Sequence, residues 1–177
     1  AFRAATANIL TGNPAELREN SADGLRITGK IAMLQAQFGW QKVLVVGIQE
    51  ARTPLDQLRH GEHYFAVTSG ATPFGNLGNE LWLHKGLSWS DDLTRPIGVR
   101  PKDCTVAYSD ERTLLVAIRT KRMAVDVLVA HFPHQWDGGE ESRAYMVRLA
   151  KVCGKRAKVC AKRANSRVPF LLADTNM

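Results

Sequence analysis

Five polar residues in this sequence each stand directly behind an apolar run. Asn8 follows Ala7, Glu50 follows Ile48-Gln49, His131 follows Val129-Ala130, and Asp174 and Asn176 close the run Leu172-Ala173. Two carboxylates and two amides supply oxygen ligands for a hard divalent cation, with an imidazole beside them. Singly these residues are commonplace: Asn supports turns, acids cap helices and loops, and a histidine behind a strand is often a satisfied core residue. Their shared position carries the reading. A strand end is a rim, where a carboxylate escapes the cost of full burial, and strands lying side by side would bring all five residues to one edge.

The elements that must position them can be read from periodicity. Arg3 to Leu10 reads as a short strand ending in the turn Thr11-Gly12-Asn13-Pro14. Ile27, Ile31, Leu34 and Phe38 recur at helical spacing, and Gly39 stands where a left-handed cap is often needed. Lys42 to Gln49 contains Val43-Leu44-Val45-Val46, the kind of continuous aliphatic run found in strands buried on both faces. His63 to Thr68, Glu80 to His84, Thr113 to Arg119 and Ala124 to His131 read as four more strands, the last two joined through Thr120-Lys121-Arg122-Met123 as a hairpin. A long helix over Glu140 to Asn165 carries Tyr145, Leu149, Val152, Cys153 and Arg156 along one side. The strand Val168 to Ala173 follows it. This order predicts an α+β chain built as two packed sheets with helices outside; the hairpin-linked strands argue against a doubly wound parallel sheet.

The 177 residues, 45% apolar, have material for one sizeable core and are read as a single domain. Repeats and low-complexity tracts are missing, which excludes solenoid and disordered classes. No run approaches the roughly 20 apolar residues that span a bilayer, so a soluble, intracellular protein with no membrane partner is expected. Cys104, Cys153 and Cys160 lie at no metal-ligand spacing and read as reduced thiols. The net charge of +7 is concentrated: nine basic residues and no acid fall between Arg143 and Arg167. Such a patch is either a solvated helix face or the electrostatic footprint of a nucleic-acid binder.

Taken in order, these motifs resemble the endonuclease/exonuclease/phosphatase, or deoxyribonuclease I-like, superfamily. Ala7-Asn8-Ile9 is similar to its first-strand Asn motif and Ile48-Gln49-Glu50 to its Gln-Glu motif. Glu111-Arg112 is similar to its phosphate-reaching arginine, Ala130-His131-Phe132-Pro133 to its histidine segment, and Ala173-Asp174-Thr175-Asn176 to its Gly-Asp-Phe-Asn motif. His134 is a second histidine candidate, and His131 is preferred because it directly ends a strand. The resemblance implies a four-layer α/β/β/α sandwich and metal-dependent phosphodiester hydrolysis, with DNA the expected substrate and nucleic acid the partner. It implies that Glu50 and Asn8 hold Mg2+ or Mn2+, and that Asn8 and Arg112 bind substrate. Glu50, His131, Asp174 and Asn176 then form the catalytic set.

Two departures matter. Ala173 and Thr175 replace the usual Gly and Phe, leaving the carboxylate and the amide in place. Family members also carry a further Asp and a Ser-Asp-His segment beyond this point, so the 1–177 chain is expected to be an incomplete domain, truncated before the last strands and inactive alone. Gly78-Asn79-Glu80-Leu81-Trp82-Leu83 resembles endonuclease domains of non-LTR retrotransposon polyproteins, which would place the protein in the nucleus. Two alternatives stay open: a phosphatase or phosphodiesterase acting on a small or lipid phosphoester, and a non-catalytic nucleic-acid-binding relic.

Overall fold

The computed structural model describes residues 3–9, 30–53, 58–70, 72–73, 77–133, 139–161 and 169–174. Among the described residues, nine strands and two helices are laid out in chain order. Strand β1 (Ala4–Asn8) precedes helix α1 (Lys30–Trp40) and strands β2 (Val45–Gln49), β3 (Leu58–His60), β4 (Tyr64–Thr68) and β5 (Glu80–His84). After a 3-10 turn come β6 (Cys104–Asp110), β7 (Thr113–Arg119), β8 (Ala124–His131), helix α2 (Glu140–Ala161) and β9 (Pro169–Asp174). The first five strands form one sheet in the order β1-β2-β5-β4-β3, and the last four form a second in the order β6-β7-β8-β9. Both sheets are mixed: β1 runs parallel to β2 and β8 parallel to β9, while the other pairs are antiparallel.

Alternation within the strands builds the layers, because successive side chains leave a strand on opposite faces. Val45, Phe65, Val67, Leu81 and Leu83 of the first sheet meet Leu114, Val116, Ile118, Val127, Val129 and Leu172 of the second in one buried cluster. The opposite face of the first sheet sends Val46, Ile48, Tyr64, Ala66 and Trp82 against Ile31, Leu34 and Phe38 of α1. On the far side, Leu115 and Leu128 pack against Tyr145 and Leu149 of α2. Full burial of each large apolar side chain contributes roughly 1.5–3 kcal/mol. Three apolar interfaces therefore hold four layers, and the expected α/β/β/α sandwich is the architecture observed.

The two sheets approach closely at β2 and β9. A Cβ on Gly47 would stand 2.6 Å from the Leu172 Cβ, so only glycine fits there. This contact fixes the end of β2 against the end of β9, where two of the expected site residues lie.

Several expectations shift in detail. Gly39 lies within the last turn of α1; it is needed because the His63 ring would be 2.8 Å from its Cβ, and the left-handed residue is Lys42, at φ 55°. Strands β3 and β6 were not expected. The hairpin through Thr120–Met123 forms as read, closed by Thr120 N–H donating to the Met123 carbonyl at 2.8 Å. The α2 helix is described to Ala161, and Ile27, the turn at 11–14 and residues 162–168 lie outside the described residues. Cys104 and Cys153 are free thiols. Burial, with Asp103 beside it, pushes the Cys104 thiol up to about 12. Among the described residues, no helix is long and apolar enough to cross a membrane.

Candidate active site

The edge where β1, β2, β8 and β9 end brings together Asn8, Glu50 and His131, with the Asp174 backbone beside them. Strands β1 and β2 run parallel with Asn8 opposite Gln49, so Asn8 and Glu50 emerge together. Strands β8 and β9 also run parallel, and their last pair is His131 with Asp174. Because Gly47 and Leu172 bring the two pairs into contact, four residues from strands remote in sequence share one rim.

Glu50 is at the centre. Its Oε1 accepts a 3.0 Å hydrogen bond from the Asn8 amide nitrogen and lies 3.4 Å from His131 Nε2. Its Oε2 is 3.8 Å from an Arg52 guanidinium nitrogen. The Glu50 side chain is 16% exposed and that of His131 5%, so the carboxylate can be reached from solvent and the imidazole beneath it is enclosed. The backbone turns sharply here: Glu50 and Arg52 have φ of 53° and 52°, and the facing residue Leu77 has φ of 63°. Non-glycine residues in this region each cost about 1–3 kcal/mol and cluster where function over-determines the backbone.

That turn is held from two sides. Ala51 and Arg52 donate their N–H groups to the Gly78 and Leu77 carbonyls at 3.0 and 2.8 Å. The fully buried Glu80 carboxylate accepts from Thr53 Oγ1 at 2.6 Å and from Trp82 Nε1 at 2.7 Å, which anchors the segment following Glu50. Below the site, the buried Gln49 amide pairs with the Thr6 hydroxyl at 2.9 and 3.1 Å. Gly78 N–H reaches the Glu111 carbonyl at 2.8 Å, tying the first sheet to the β6–β7 turn.

Arg112 is at the same edge, but its side chain points elsewhere. Its carbonyl accepts the His131 N–H at 2.9 Å. Its guanidinium is 3.3 Å from Glu141 in the first turn of α2. The structure thus brings Asn8, Glu50 and His131 into contact, sets the Asp174 backbone in register with His131, and leaves the Arg112 head group on a neighbouring helix. The side chain of Asp174 and the whole of Asn176 and His134 lie outside the described residues.

Arg52, and the Thr6–Gln49 pair that floors the site, were given no role in the sequence reading. Asn79 was also unassigned; it is 1% exposed, one step beyond the Ile48–Glu80 pair and hydrogen-bonded through its backbone to Ser69. Among the described residues, neither polar atom of its side-chain amide has a hydrogen-bond partner. Gln49 and Asn79 stand within the Gln-Glu motif and the 78–83 segment, but only the tertiary structure shows what they and Thr6 and Arg52 contact.

Glu50, a partly exposed carboxylate with a neighbouring amide, is a donor of the type hard cations prefer. Among the described residues no cluster of three or more His, Cys, Asp or Glu is present. The Glu50 carboxylate, the Asn8 amide and the strand end at Asp174 are compatible with a cation held largely by carboxylate oxygen and water.

No family model and no curated protein matches the sequence. Solved structures do. The chain is similar to the endonuclease domain of TRAS1, a telomere-specific non-LTR retrotransposon, at 14% identity and a TM-score of 0.50, covering 99% of this chain and 59% of that one. It is similar to the AP endonuclease LMAP from Leishmania major at 13% identity and a TM-score of 0.61, covering 98% of this chain and 54% of that one. The Xenopus laevis APE2 catalytic domain matches at 14% identity and a TM-score of 0.52, covering 98% and 57%. The chain therefore spans between half and three fifths of each of these structures. Over that length it has the deoxyribonuclease I-like fold.

Proposed function

We propose that the complete protein hydrolyses phosphodiester bonds in nucleic acid, with DNA as the substrate, at the edge built around Glu50. The observation that supports this reading most is the Glu50 carboxylate set between the Asn8 amide and the His131 imidazole, with Asp174 in register beside that histidine. The fold neighbours named as endonucleases agree with it.

In this reading Glu50, supported by Asn8, would hold Mg2+ or Mn2+, which when bound would polarise a phosphate oxygen and neutralise its charge. The Asn8 amide keeps Glu50 Oε1 turned into the site. His131 donates a hydrogen bond from Nε2 toward the phosphate as negative charge builds on its oxygens, where a preorganised donor is most effective. Asp174 orients the attacking water and draws off its proton, and Asn176 holds the phosphate or that water. Arg112 binds substrate by leaving Glu141, a partner that is 66% exposed; surface pairs of this kind are worth only about 0–1 kcal/mol, so the exchange is cheap.

The test is Glu50→Gln in the full-length protein. Plasmid cleavage in Mg2+ should fall at least about 100-fold, in the range lost with one transition-state charge contact, with an unchanged far-UV circular dichroism spectrum. Undiminished cleavage would refute the assignment. Running a small phosphoester beside the plasmid identifies the substrate class, since preferential turnover of the small ester would overturn the DNA reading.

A further inference from the structure

The end of the sandwich opposite the Glu50 edge carries a second concentration of charge. Strand β7 begins at the active edge with Thr113 and ends at Arg119, about 20 Å away at 3.4 Å per residue. There the β7–β8 hairpin and the segment 96–103 enclose a cleft of about 390 Å³, and its lining includes Arg100, Lys102, Arg119, Lys121 and Arg122.

The carboxylates nearby are already committed. Asp103 accepts the Arg100 N–H at 2.9 Å and lies 3.7 Å from its guanidinium. The buried Asp126 serves two guanidiniums at once, those of Arg119 and Arg156, so that cluster itself keeps an excess positive charge. Among the described residues no acid pairs with Lys102, Lys121 or Arg122, all exposed at the mouth of the cleft. Three cations held together without counter-charge raise each other's electrostatic cost. They are relieved when anions spaced along one partner occupy them together.

Thr120 makes the hairpin a fixed platform for two of them. Its hydroxyl accepts the N–H groups of Arg122 and Met123 at 3.2 and 2.9 Å. Arg119, anchored on Asp126, links the cleft to α2, whose Lys151 and Lys155 are exposed along the outer face of the same sheet. The cationic surface therefore continues from the hairpin onto the helix.

We propose that this cleft is a second, non-catalytic nucleic-acid site that grips a phosphodiester backbone away from the Glu50 edge. Repeated single charges along a flexible or helical strand match separate lysine and arginine heads spread over two loops, and such contacts position a strand without reading its bases. The site shares its partner class with the proposed reaction but none of its residues, so each can fail without the other.

The test measures binding, not cleavage. A fluorescein-labelled 20-base-pair duplex is titrated with the full protein in EDTA, by anisotropy, over a range of sodium chloride concentrations. The combined variant Lys102→Ala, Lys121→Ala, Arg122→Ala should bind at least tenfold more weakly near 0.1 M salt. Its slope of log affinity against log salt should be shallower by about 2 to 3, as expected when three phosphate contacts are lost. Replacing Lys102 and Lys121 by Arg should restore wild-type binding. Equal affinity and slope for the wild type and the triple variant would overturn the proposal. So would tighter binding of the wild type to phosphatidylserine vesicles than to the duplex.

Discussion

Two carboxylates in this molecule, Glu50 at the active edge and Asp126 at the distal end, face cationic partners in opposite ways. Asp126 is 1% exposed, sits in the regular strand β8, and is bound tightly by Arg119 and by two Arg156 nitrogens at 2.5 and 3.0 Å. Glu50 follows a strand in a left-handed turn, keeps its side chain partly exposed, and meets Asn8, His131 and Arg52 at 3.0, 3.4 and 3.8 Å. The first arrangement satisfies its charge completely and locks α2 to the second sheet. The second leaves coordination incomplete, which is a cost in stability and the condition for binding something else. Burial, and not residue type, separates the structural carboxylate from the one proposed to be catalytic.

The contrast can be broken hardest at Asp126. Replacing it by Asn leaves two guanidiniums short of their counter-charge, and loss of one partner from a buried ionic cluster costs about 3–5 kcal/mol. Urea denaturation should show that loss, while an unchanged midpoint would mean the cluster is only decorative. Acid should produce a graded version of the same effect. Burial alone would raise the Asp126 carboxyl, yet hydrogen bonds from Arg156 and Arg119 hold it down to about 2, against an ordinary 3.8. A depressed carboxyl adds stability that is complete above its unfolded value and disappears as pH falls from about 4 to about 2. Urea midpoints between pH 6 and pH 2 should drop in that window for the wild type, and by less for Asp126→Asn.

Gly47→Ala is expected to have an intermediate effect. Its Cβ would collide with Leu172, and overpacking of this kind costs about 1–3 kcal/mol. Because that contact sets β2 against β9, cleavage by the full protein should fall further than the loss of folded protein explains. Kinetics corrected for the folded fraction would show whether it does. The smallest stability change is expected at Glu50 itself: Glu50→Gln should shift the urea midpoint little, in contrast to Asp126→Asn, because Gln keeps an oxygen to accept the Asn8 hydrogen bond and the side chain is 16% exposed.

Much of the scaffold was legible because burial writes itself into sequence. Val43-Leu44-Val45-Val46 reads as an interior strand since both faces of β2 are covered, by α1 on one side and the second sheet on the other. Glu80–His84, Thr113–Arg119 and Ala124–His131 were legible for the same reason. Strand β6 was not: it is a sheet edge whose Thr105, Val106 and Ala107 are exposed, so Cys-Thr-Val-Ala-Tyr-Ser-Asp shows no clean alternation. Arg156 was read as part of the apolar side of α2, and its reason for turning inward, Asp126, lies 30 residues earlier.

The sequence by itself determined which residues stand at strand ends, since an apolar run must stop where the rim begins, and so it named Asn8, Glu50, His131 and Asp174. Only the tertiary structure decided that those ends share one rim. Strand direction is set by pairing: β1 with β2 and β8 with β9 are parallel and meet across Gly47 and Leu172. The same pairing of β6 with β7 carried Lys102 to Lys121 and Arg122 at the other end, which no local pattern could announce because the cations come from separate loops.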